Sequence, residues 1–421
     1  MAARPRDASP VGWRCFQLGM VFLGSSALLA GLLLLVSLVL GSRHRDSPLS
    51  DRSNWVLLAI SVLMTLGCLG AYSGWLAWVG LANWLPFFWA FWGFQPYLAT
   101  PAARRRVGEA LLVGTVPVIV TGLGQLWLGW SGPFQQLGGA IIWHLHPGGR
   151  PDGRLSGLFD YANICGAWLA LAWPFALAAV LQRRLRPLPR SVVLLIAASL
   201  VAALFLTDSR NAWGALVLAL PIVLGPAAWP WLLPLLLLAG VLVALACIGG
   251  VPALLQEPAR ALVPKAIWGR LGDLQFSAQR PQEITRLAQW KLAFGLIGER
   301  PWLGWGAAGF SLIYPLRTGH WHGHPHNLPI DLGVSHGVPV ALLLLALVGW
   351  LLLASARRMA SAAVFERAWW ASALVLTCLH ATDMPFYDSR INVAGWVLLA
   401  GLRCAIASGQ GGSTGTEPVI P

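Results

Sequence analysis

The sequence predicts an all-α polytopic membrane protein, and two observations lead to this fold class. Of the 421 residues, 57% are hydrophobic and only 11% are charged, whereas a soluble globular protein carries about 25% charged residues. Several apolar runs also exceed the roughly 18 residues that a membrane-spanning helix needs. We expect one membrane domain over residues 1–407. The Gly/Ser/Thr-rich tail 408–421 is predicted to be disordered by its composition.

The apolar runs divide into about eleven predicted spans, within a range of ten to twelve. Four prolines between 208 and 250 make that stretch the most interrupted, because proline removes a helical donor and kinks or ends a helix. The predicted spans are 16–41, 54–73, 75–94, 107–128, 161–181, 191–207, 212–226, 229–250, 328–353, 368–381 and 391–407.

The net charge of +13 is explained by the positive-inside rule and by attraction to anionic headgroups, so membrane lipids are expected partners. A soluble basic face with interleaved aromatic residues is not visible, and we expect no nucleic-acid partner. The arginines of the short loops fall mainly on one predicted side, which puts the long loop 251–327 outside the cytoplasm. These arginines are Arg43, Arg45, Arg52, Arg104, Arg105, Arg106, Arg183, Arg184, Arg186, Arg190, Arg357, Arg358 and Arg367.

Three arginines near the N-terminus disagree with this orientation. Under an eleven-span model, Arg4, Arg6 and Arg14 lie on the side opposite to the other loop arginines. One missed or extra span near the N-terminus would remove the conflict.

Four histidines, at 320, 322, 324 and 326, lie where the long loop meets an apolar segment. Polar groups at membrane depth are costly unless they face a cavity or a partner. Three interpretations stay open for this histidine run. The first is a transition-metal site, and the second is a set of pH-responsive or packing residues. The third is a general base at His326.

The long loop is predicted to contain an amphipathic helix over 281–300. Apolar residues recur there at steps of three and four, and PWLGWG then ends the helix. One interpretation places this helix on the outer membrane surface, and the other turns Arg286 inward to bind an anion. The predicted apolar face consists of Ile284, Leu287, Trp290, Phe294 and Ile297.

Three polar clusters, 154–163, 207–211 and 383–390, lie at the same predicted membrane edge as the histidines. A single arginine in such a place is typical of a side chain that snorkels to the interface. Arg154, Arg210 and Arg286 together instead indicate a bound phosphate, because the planar guanidinium can bind phosphate oxygens bidentately.

Four motifs in a fixed order carry a resemblance to a known family. They are RLSGLFDYAN (154–163), TDSRNAWGA (207–215), RxxxW followed by ERPWLGWG (286–306) and HNLPIDLGVSHG (326–337). This combination, over about residues 150–340, resembles the O-antigen ligase and O-antigen polymerase superfamily of bacterial membrane glycosyltransferases. The stretch around 207–317 also looks like a branch, best represented in cyanobacteria, that has been named for inorganic-carbon transport.

The resemblance implies a GT-C-like multi-pass protein of the bacterial inner membrane whose active-site loop is extracytoplasmic. It implies transfer or polymerisation of a glycan from a polyprenyl-diphosphate donor onto a hydroxyl of a lipid or glycan acceptor, without a metal or another cofactor. By this comparison His326 activates the acceptor hydroxyl, while Arg210 and Arg286 hold the donor diphosphate. The supporting positions implied by the resemblance are Arg154, Asn163, Asn327, Asp331 and His336.

Two positions depart from the family pattern. Ser335 stands where the family often has a glutamate, and Val340 stands where a glycine is usual. The sequence leaves open whether His336 replaces the missing carboxylate beside His326.

Two other functions remain as alternatives: a transporter of bicarbonate or another small anion, and a silent membrane scaffold. The presence of His326 and Asn327, and the clustering of the arginines at one edge, favour glycan transfer. The sequence does not separate ligase from polymerase.

Overall fold

The computed structural model describes residues 8–43, 47–139, 141–182, 189–272, 285–360 and 362–407. Over these ranges the chain is helical apart from one short β-hairpin, so the predicted all-α membrane fold is confirmed. Among the described helices, six are long and apolar enough to cross a membrane, and three shorter ones are also apolar. The predicted tail 408–421 and residues 281–284 of the predicted amphipathic helix lie outside the described ranges.

The first predicted span is an antiparallel helical hairpin instead of one helix. Its two helices are α1 (Pro10–Phe22) and α2 (Ala27–Ser42). Glycines let the two backbones approach closely: a side chain at Gly19 would collide with Leu34, and one at Gly12 would crowd Leu40. Because these contacts run in opposite order along the two helices, the chain leaves α2 at the end where it entered α1.

This hairpin removes the conflict that the N-terminal arginines raised. Arg14 lies near the start of α1 and therefore at the same end of the bundle as Arg43, which follows α2. The prediction of a single span over 16–41 was wrong. The additional helix moves Arg14 to the same end of the bundle as the other loop arginines. Arg4 and Arg6 lie outside the described residues.

The next helices are α3 (Arg52–Leu69), α4 (Trp75–Gly80), α5 (Leu85–Gly93) and α6 (Pro101–Trp127). The predicted span 75–94 is divided, because a 3-10 turn over Leu81–Asn83 separates α4 from α5. α6 continues through Pro117, and α1 packs against it.

The connection after α6 contains a β-hairpin of β1 (Phe134–Gln136) and β2 (Ile141–Trp143), in which Phe134 pairs with Trp143. Buried Gln125 holds this connection: its Nε2 donates to the His146 carbonyl at 2.6 Å, and its Oε1 accepts from the Gly157 amide at 2.9 Å. The Trp143 indole donates to the Ser25 carbonyl at 2.8 Å, which ties β2 to the turn between α1 and α2.

The following helices are α7 (Ala162–Leu181), α8 (Arg190–Leu206), α9 (Arg210–Leu224) and α10 (Trp229–Cys247). α7 is the central helix of the bundle, with Trp168 and Phe175 fully buried. α10 is mostly exposed, as in a helix surrounded by lipid. Of the four prolines between 208 and 250, Pro221 and Pro234 lie inside α9 and α10, whereas Pro226 begins the turn that separates them.

The long predicted loop contains helices, as expected: α11 (Ala253–Leu262), α12 (Lys265–Leu271), α13 (Arg286–Glu299) and α14 (Gly309–Thr318). Within the predicted apolar face of α13, Leu287 is 75% exposed and Phe294 is 59% exposed, so the placement of this face on the membrane surface stays a prediction. Gln289, Ala293 and Leu296 are buried instead. The position of the neighbouring elements, and not hydrophobicity alone, decides which face of this helix is covered.

The last helices are α15 (Leu328–His336), α16 (Val338–Ala360), α17 (Val364–His380) and α18 (Ser389–Ala407). The predicted span 328–353 is divided at Gly337, whose φ is 87°. PWLGWG passes close to this junction: a side chain at Gly337 would collide with the Trp302 carbonyl, and one at Gly304 with the Ser335 backbone. Glycine is therefore required at both positions to dock the long loop on α15.

Because the helices run up and down, the bundle has two chemically different ends. Arg104 at the start of α6 pairs with Glu366 at the start of α17, and Arg358 near the end of α16 donates to the Ala405 carbonyl near the end of α18. We call this the basic end; it also carries Arg14, Arg43, Arg52, Arg105, Arg106, Arg190, Arg357 and Arg367. The opposite end, called the site end, carries residues 154–163, 207–211, 326–327 and 383–390.

Candidate functional site

His326 lies in the turn immediately before α15. Its φ of 52° is left-handed, which is uncommon for a residue other than glycine and is often found at functional sites. Asn327 fixes the turn from both sides. Its Oδ1 accepts from the Ile330 amide at 3.0 Å and caps α15, while its Nδ2 donates to the Ala381 carbonyl at 2.8 Å.

The His326 imidazole faces a carboxylate. Its Nδ1 lies 2.9 Å from Oδ1 of Asp383, and the two side chains are 27% and 16% exposed. Burial alone would raise the pKa of Asp383, but the hydrogen bond and charge of His326 lower that pKa to about 2. Asp383 is therefore a carboxylate at neutral pH. An Nδ1–H donated to it leaves Nε2 as the ring nitrogen that accepts a proton.

Asp383 is the centre of a longer hydrogen-bonded series. Asn163 Nδ2 donates to Asp383 Oδ2 at 3.1 Å, and an Arg154 Nη2–H donates to Asn163 Oδ1 at 2.6 Å. We call the series Arg154, Asn163, Asp383 and His326 the polar chain. The structure thus brings together Arg154, Asn163 and His326, three of the residues that the sequence selected.

A second guanidinium lies beside Arg154. Arg270, from α12 in the long loop, donates from Nε to Asp208, with Oδ2 at 2.9 Å and the carbonyl oxygen at 3.1 Å. Arg154 donates to the same carbonyl at 3.1 Å. Burial lowers the pKa of Arg154, and the nearby charge of Arg270 lowers that pKa further. Asp208 therefore links the long loop to the polar chain.

The two arginines selected for anion binding both lie at the site end, each at the first position of a helix. Arg210 begins α9, and its neighbours Ser209 and Asn211 line a small cavity together with Asp383. Arg286 begins α13, and its positive charge contributes to the low pKa of Asp383. A helix N-terminus also carries partial positive charge, which favours an anion at both places.

His324 supports the backbone of His326. The His326 amide donates to His324 Nδ1 at 3.2 Å, and the two rings lie 4.5 Å apart. Burial lowers the pKa of His324 to about 4, with a further contribution from the charge of His326, so His324 is neutral at neutral pH. Over the described residues, no three His, Cys, Asp or Glu side chains form a group that could hold a metal ion.

Two of the predicted supporting residues lie away from the polar chain. Asp331 is buried and accepts a hydrogen bond from the Tyr387 hydroxyl at 3.0 Å. His336 is buried at the far end of α15, edge-on to Trp84. At 1.5 Å per helical residue, His336 is roughly 14 Å along the helix from Asn327. The carboxylate that faces His326 is therefore that of Asp383, and His336 does not stand beside it.

Sequence reasoning did not select Asp383 or Arg270. The sequence does mark Asp383 as a candidate, because it belongs to a polar cluster at the end of an apolar span. It does not mark Arg270, since arginines are common in long polar loops. Both were missed because their partners, His326 and Asp208, are distant in sequence.

Comparison with known families is informative for the centre of the chain. Residues 192–345 match the family model described as O-antigen ligase. Over this region the chain is similar to the O-antigen ligase family, and we call residues 192–345 the matched region. The match confirms the resemblance to the O-antigen ligase and polymerase superfamily, while the likeness to the inorganic-carbon branch stays a prediction. Among curated proteins, no match to the chain is found.

The matched region and the polar chain overlap only in part. Arg210, Arg286 and His326 lie inside the matched region, whereas Arg154, Asn163 and Asp383 lie outside it. The match supports a membrane glycan-transfer function in general, and the fold assembles the candidate site from both parts of the chain.

Proposed function

We propose that this protein transfers a glycan from a polyprenyl-diphosphate donor to a hydroxyl of a lipid or glycan acceptor, without a metal. The observation that carries the proposal is the polar chain, which fixes the His326 imidazole against a charged carboxylate at the site end. Arg210 and Arg286 lie at the same end, and these two residues and His326 all belong to the matched region.

The proposed reaction uses His326 as a general base. Nε2 takes the proton of the acceptor hydroxyl, the oxygen attacks the anomeric carbon, and the bond from that carbon to the diphosphate oxygen breaks. The diphosphate leaves with the bonding electron pair. Asp383 stabilises the imidazolium that forms and holds the ring in the required orientation. General-base assistance of this kind contributes about 10²–10⁴-fold to a rate.

The leaving diphosphate needs stabilisation of its negative charge. We assign this role to Arg210 and Arg286, because two guanidiniums and two helix N-termini supply positive charge without a metal. Arg154 is a positioning residue that acts through Asn163 and Asp383.

An apolar cavity beside the polar chain has room for a short part of the donor's hydrocarbon tail. It has a volume of about 100 Å³ and lies among α16, α17 and α18, with Leu344, Leu376 and Leu398 in its wall. His380 and Phe386, on either side of Asp383 in the sequence, also line it.

The charge distribution supports a bacterial inner-membrane protein whose site end faces away from the cytoplasm. The arginines of the short loops lie mainly at the basic end, and short loops rich in arginine stay on the cytoplasmic side. The site end then meets glycans that have already crossed the membrane. Ligase and polymerase share the donor and the chemistry proposed here, and they differ in the acceptor.

The first test is complementation of a deletion strain with wild type, His326→Ala, Arg210→Ala or Arg286→Ala, followed by analysis of the surface glycan ladder. Membrane levels of each variant are measured in the same samples. His320→Ala is the matched control, because His320 belongs to the same histidine run but not to the polar chain. We expect the three site variants to lose glycan attachment or chain extension and the control to restore the ladder.

The glycans that accumulate in the deletion strain also distinguish a ligase from a polymerase. Unattached polymer indicates a missing ligase, and single-repeat products indicate a missing polymerase. A normal ladder from all three alanine variants contradicts the proposal, and uptake of a small anion is then the activity to measure.

A further inference from the structure

A second cavity at the site end is not used by the proposed reaction. It lies between the β-hairpin connection and the turn that joins α1 to α2, and its volume is about 270 Å³. We call it the hairpin cavity. Its wall includes Ser25, Leu28, Trp143, His144, Asp160 and Arg390. This volume lies just below the roughly 300 Å³ at which pockets for whole drug-sized ligands begin, so one or two sugar rings fit.

The hairpin cavity has rigid walls. Arg390 is held by two bonds to Asp388, of 2.9 and 2.6 Å, and by a 2.9 Å bond to the Leu158 carbonyl. Its guanidinium also lies 3.8 Å from the centre of the Phe159 ring. Together with the bond from Trp143 to the Ser25 carbonyl, these contacts fix two sides of the cavity before any ligand enters.

The chemistry of the wall suits a sugar. Asp160 offers two carboxylate oxygens to hydroxyl donors, and His144 offers a ring donor and a ring acceptor. Both side chains are exposed, and neither is bonded to another group within the described residues. Trp143 and Leu28 supply apolar surface for the C–H face of a ring. Because Asp388 neutralises Arg390, the wall favours a neutral or amino sugar over an acidic one.

The cavity is close to both the polar chain and the membrane. Asp160 precedes Asn163 by three residues, so their Cα atoms are at most about 11 Å apart. That distance is about two sugar rings. Leu28 at the rim is 61% exposed on an apolar helix, so the cavity opens near lipid. Asn163 is joined to His326 through Asp383, so the cavity lies within a few sugar rings of the bond that is proposed to form.

We propose that the hairpin cavity binds a sugar unit of the reacting glycan a few rings away from the bond that forms. This inference rests on the proposed function and adds a specificity subsite to it, built from residues outside the matched region. The glycan at this subsite comes from either the donor or the acceptor, and both present the same ring and hydroxyl chemistry.

Binding is tested by saturation-transfer-difference NMR on the detergent-purified full-length protein. The probes are the methyl glycosides of glucose, galactose, N-acetylglucosamine and N-acetylgalactosamine. We expect at least one glycoside to give a ring-proton signal, and Asp160→Ala and His144→Ala to reduce that signal at least fivefold. Asp152→Ala is the matched control, since Asp152 is an exposed aspartate of the same connection outside the cavity wall.

Kinetics then identify the source of the sugar. In a transfer assay, Asp160→Ala is expected to raise one KM about tenfold with kcat little changed. An increase for the lipid-linked donor assigns the cavity to the donor glycan, and an increase for the acceptor assigns it to the acceptor. Wild-type binding and unchanged KM values in both cavity variants, or no signal from any glycoside with wild type, would overturn the inference.

The two proposals fail in different ways. His326→Ala is expected to abolish transfer but to keep the wild-type NMR signal, because His326 does not line the hairpin cavity. An active His326→Ala protein removes the proposed function whatever the binding result. An inactive His326→Ala protein together with unaltered cavity variants removes the subsite alone.

Discussion

The two ends of the helical bundle use their carboxylates differently. At the basic end, the Arg104 guanidinium bonds both oxygens of Glu366, and the two side chains are only 3% and 9% exposed. At the site end, the carboxylate of Asp383, whose side chain is 16% exposed, is bonded by the imidazole of His326 and the amide of Asn163.

The difference separates a structural role from a chemical one. A guanidinium keeps its proton at every pH that a cell meets, so the Arg104–Glu366 pair serves to hold α6 against α17. An imidazole ring has one nitrogen that can donate a proton and one that can accept a proton, so the His326–Asp383 pair can take part in a reaction. Four substitutions test this comparison, in decreasing order of expected effect.

The largest effect is expected from Glu366→Gln. Removing one partner of a buried ion pair leaves an uncompensated charge and costs about 3–5 kcal/mol of stability. Thermal unfolding in detergent measures the loss. The matched control is Glu109→Gln, because Glu109 is partly exposed and its 2.8 Å pair with Arg105 is worth only about 0.5 kcal/mol. Equal unfolding temperatures for the two variants would refute a structural role of the buried pair.

Asp383→Asn is expected to reduce turnover about 10²-fold while the protein stays folded. A neutral amide does not stabilise the imidazolium, and it can present an N–H to His326 and favour the wrong tautomer. Transfer assays on purified protein measure the loss, and thermal unfolding shows whether it exceeds any change in stability. Turnover within threefold of wild type contradicts the role given to Asp383.

Arg270→Ala is expected to lower kcat/KM about tenfold, because Asp208 and the backbone next to Arg210 lose their link to the long loop. Arg317→Ala is the matched control. Arg317 is also in the long loop and pairs with Glu299 at 2.6 Å, but both side chains are about two-fifths exposed. Surface pairs of this kind contribute little, so the control should stay within twofold. Equal losses from both variants would show a general effect of the loop.

The smallest effect concerns pH. Because burial lowers the pKa of His324 to about 4 from its ordinary 6.5, the unfolded chain binds a proton below about pH 6.5 that the folded chain does not bind until about pH 4. The contribution of His324 to stability is therefore lost progressively as the pH falls from 6.5 to 4. The unfolding temperature of His324→Gln should fall less than that of wild type between pH 7.5 and pH 5.0. An equal fall of the unfolding temperature in both proteins would contradict the lowered pKa of His324 in the folded protein.

Much of this protein followed from local patterns. Apolar runs predicted the membrane fold, and loop arginines predicted two different ends. A histidine before an apolar helix pointed to the candidate site, whose role in catalysis stays a prediction. These features are readable because hydrophobicity, charge and helix-start signals act over a few residues. The motif PWLGWG was also recognisable in the sequence. The sequence did not show why its glycine at 304 is needed, which is the close approach of Gly304 to the Ser335 backbone.

Tertiary structure decided what depends on distant partners. His326 and Asp383 are 57 residues apart, and Asn163 and Asp383 are 220 apart, so no spacing rule joins them. The antiparallel turn between α1 and α2, and the covered face of α13, also depend on which surface lies opposite. Local periodicity shows which side chains prefer burial, but only the packing of one element on another determines which of them are buried and what they meet there.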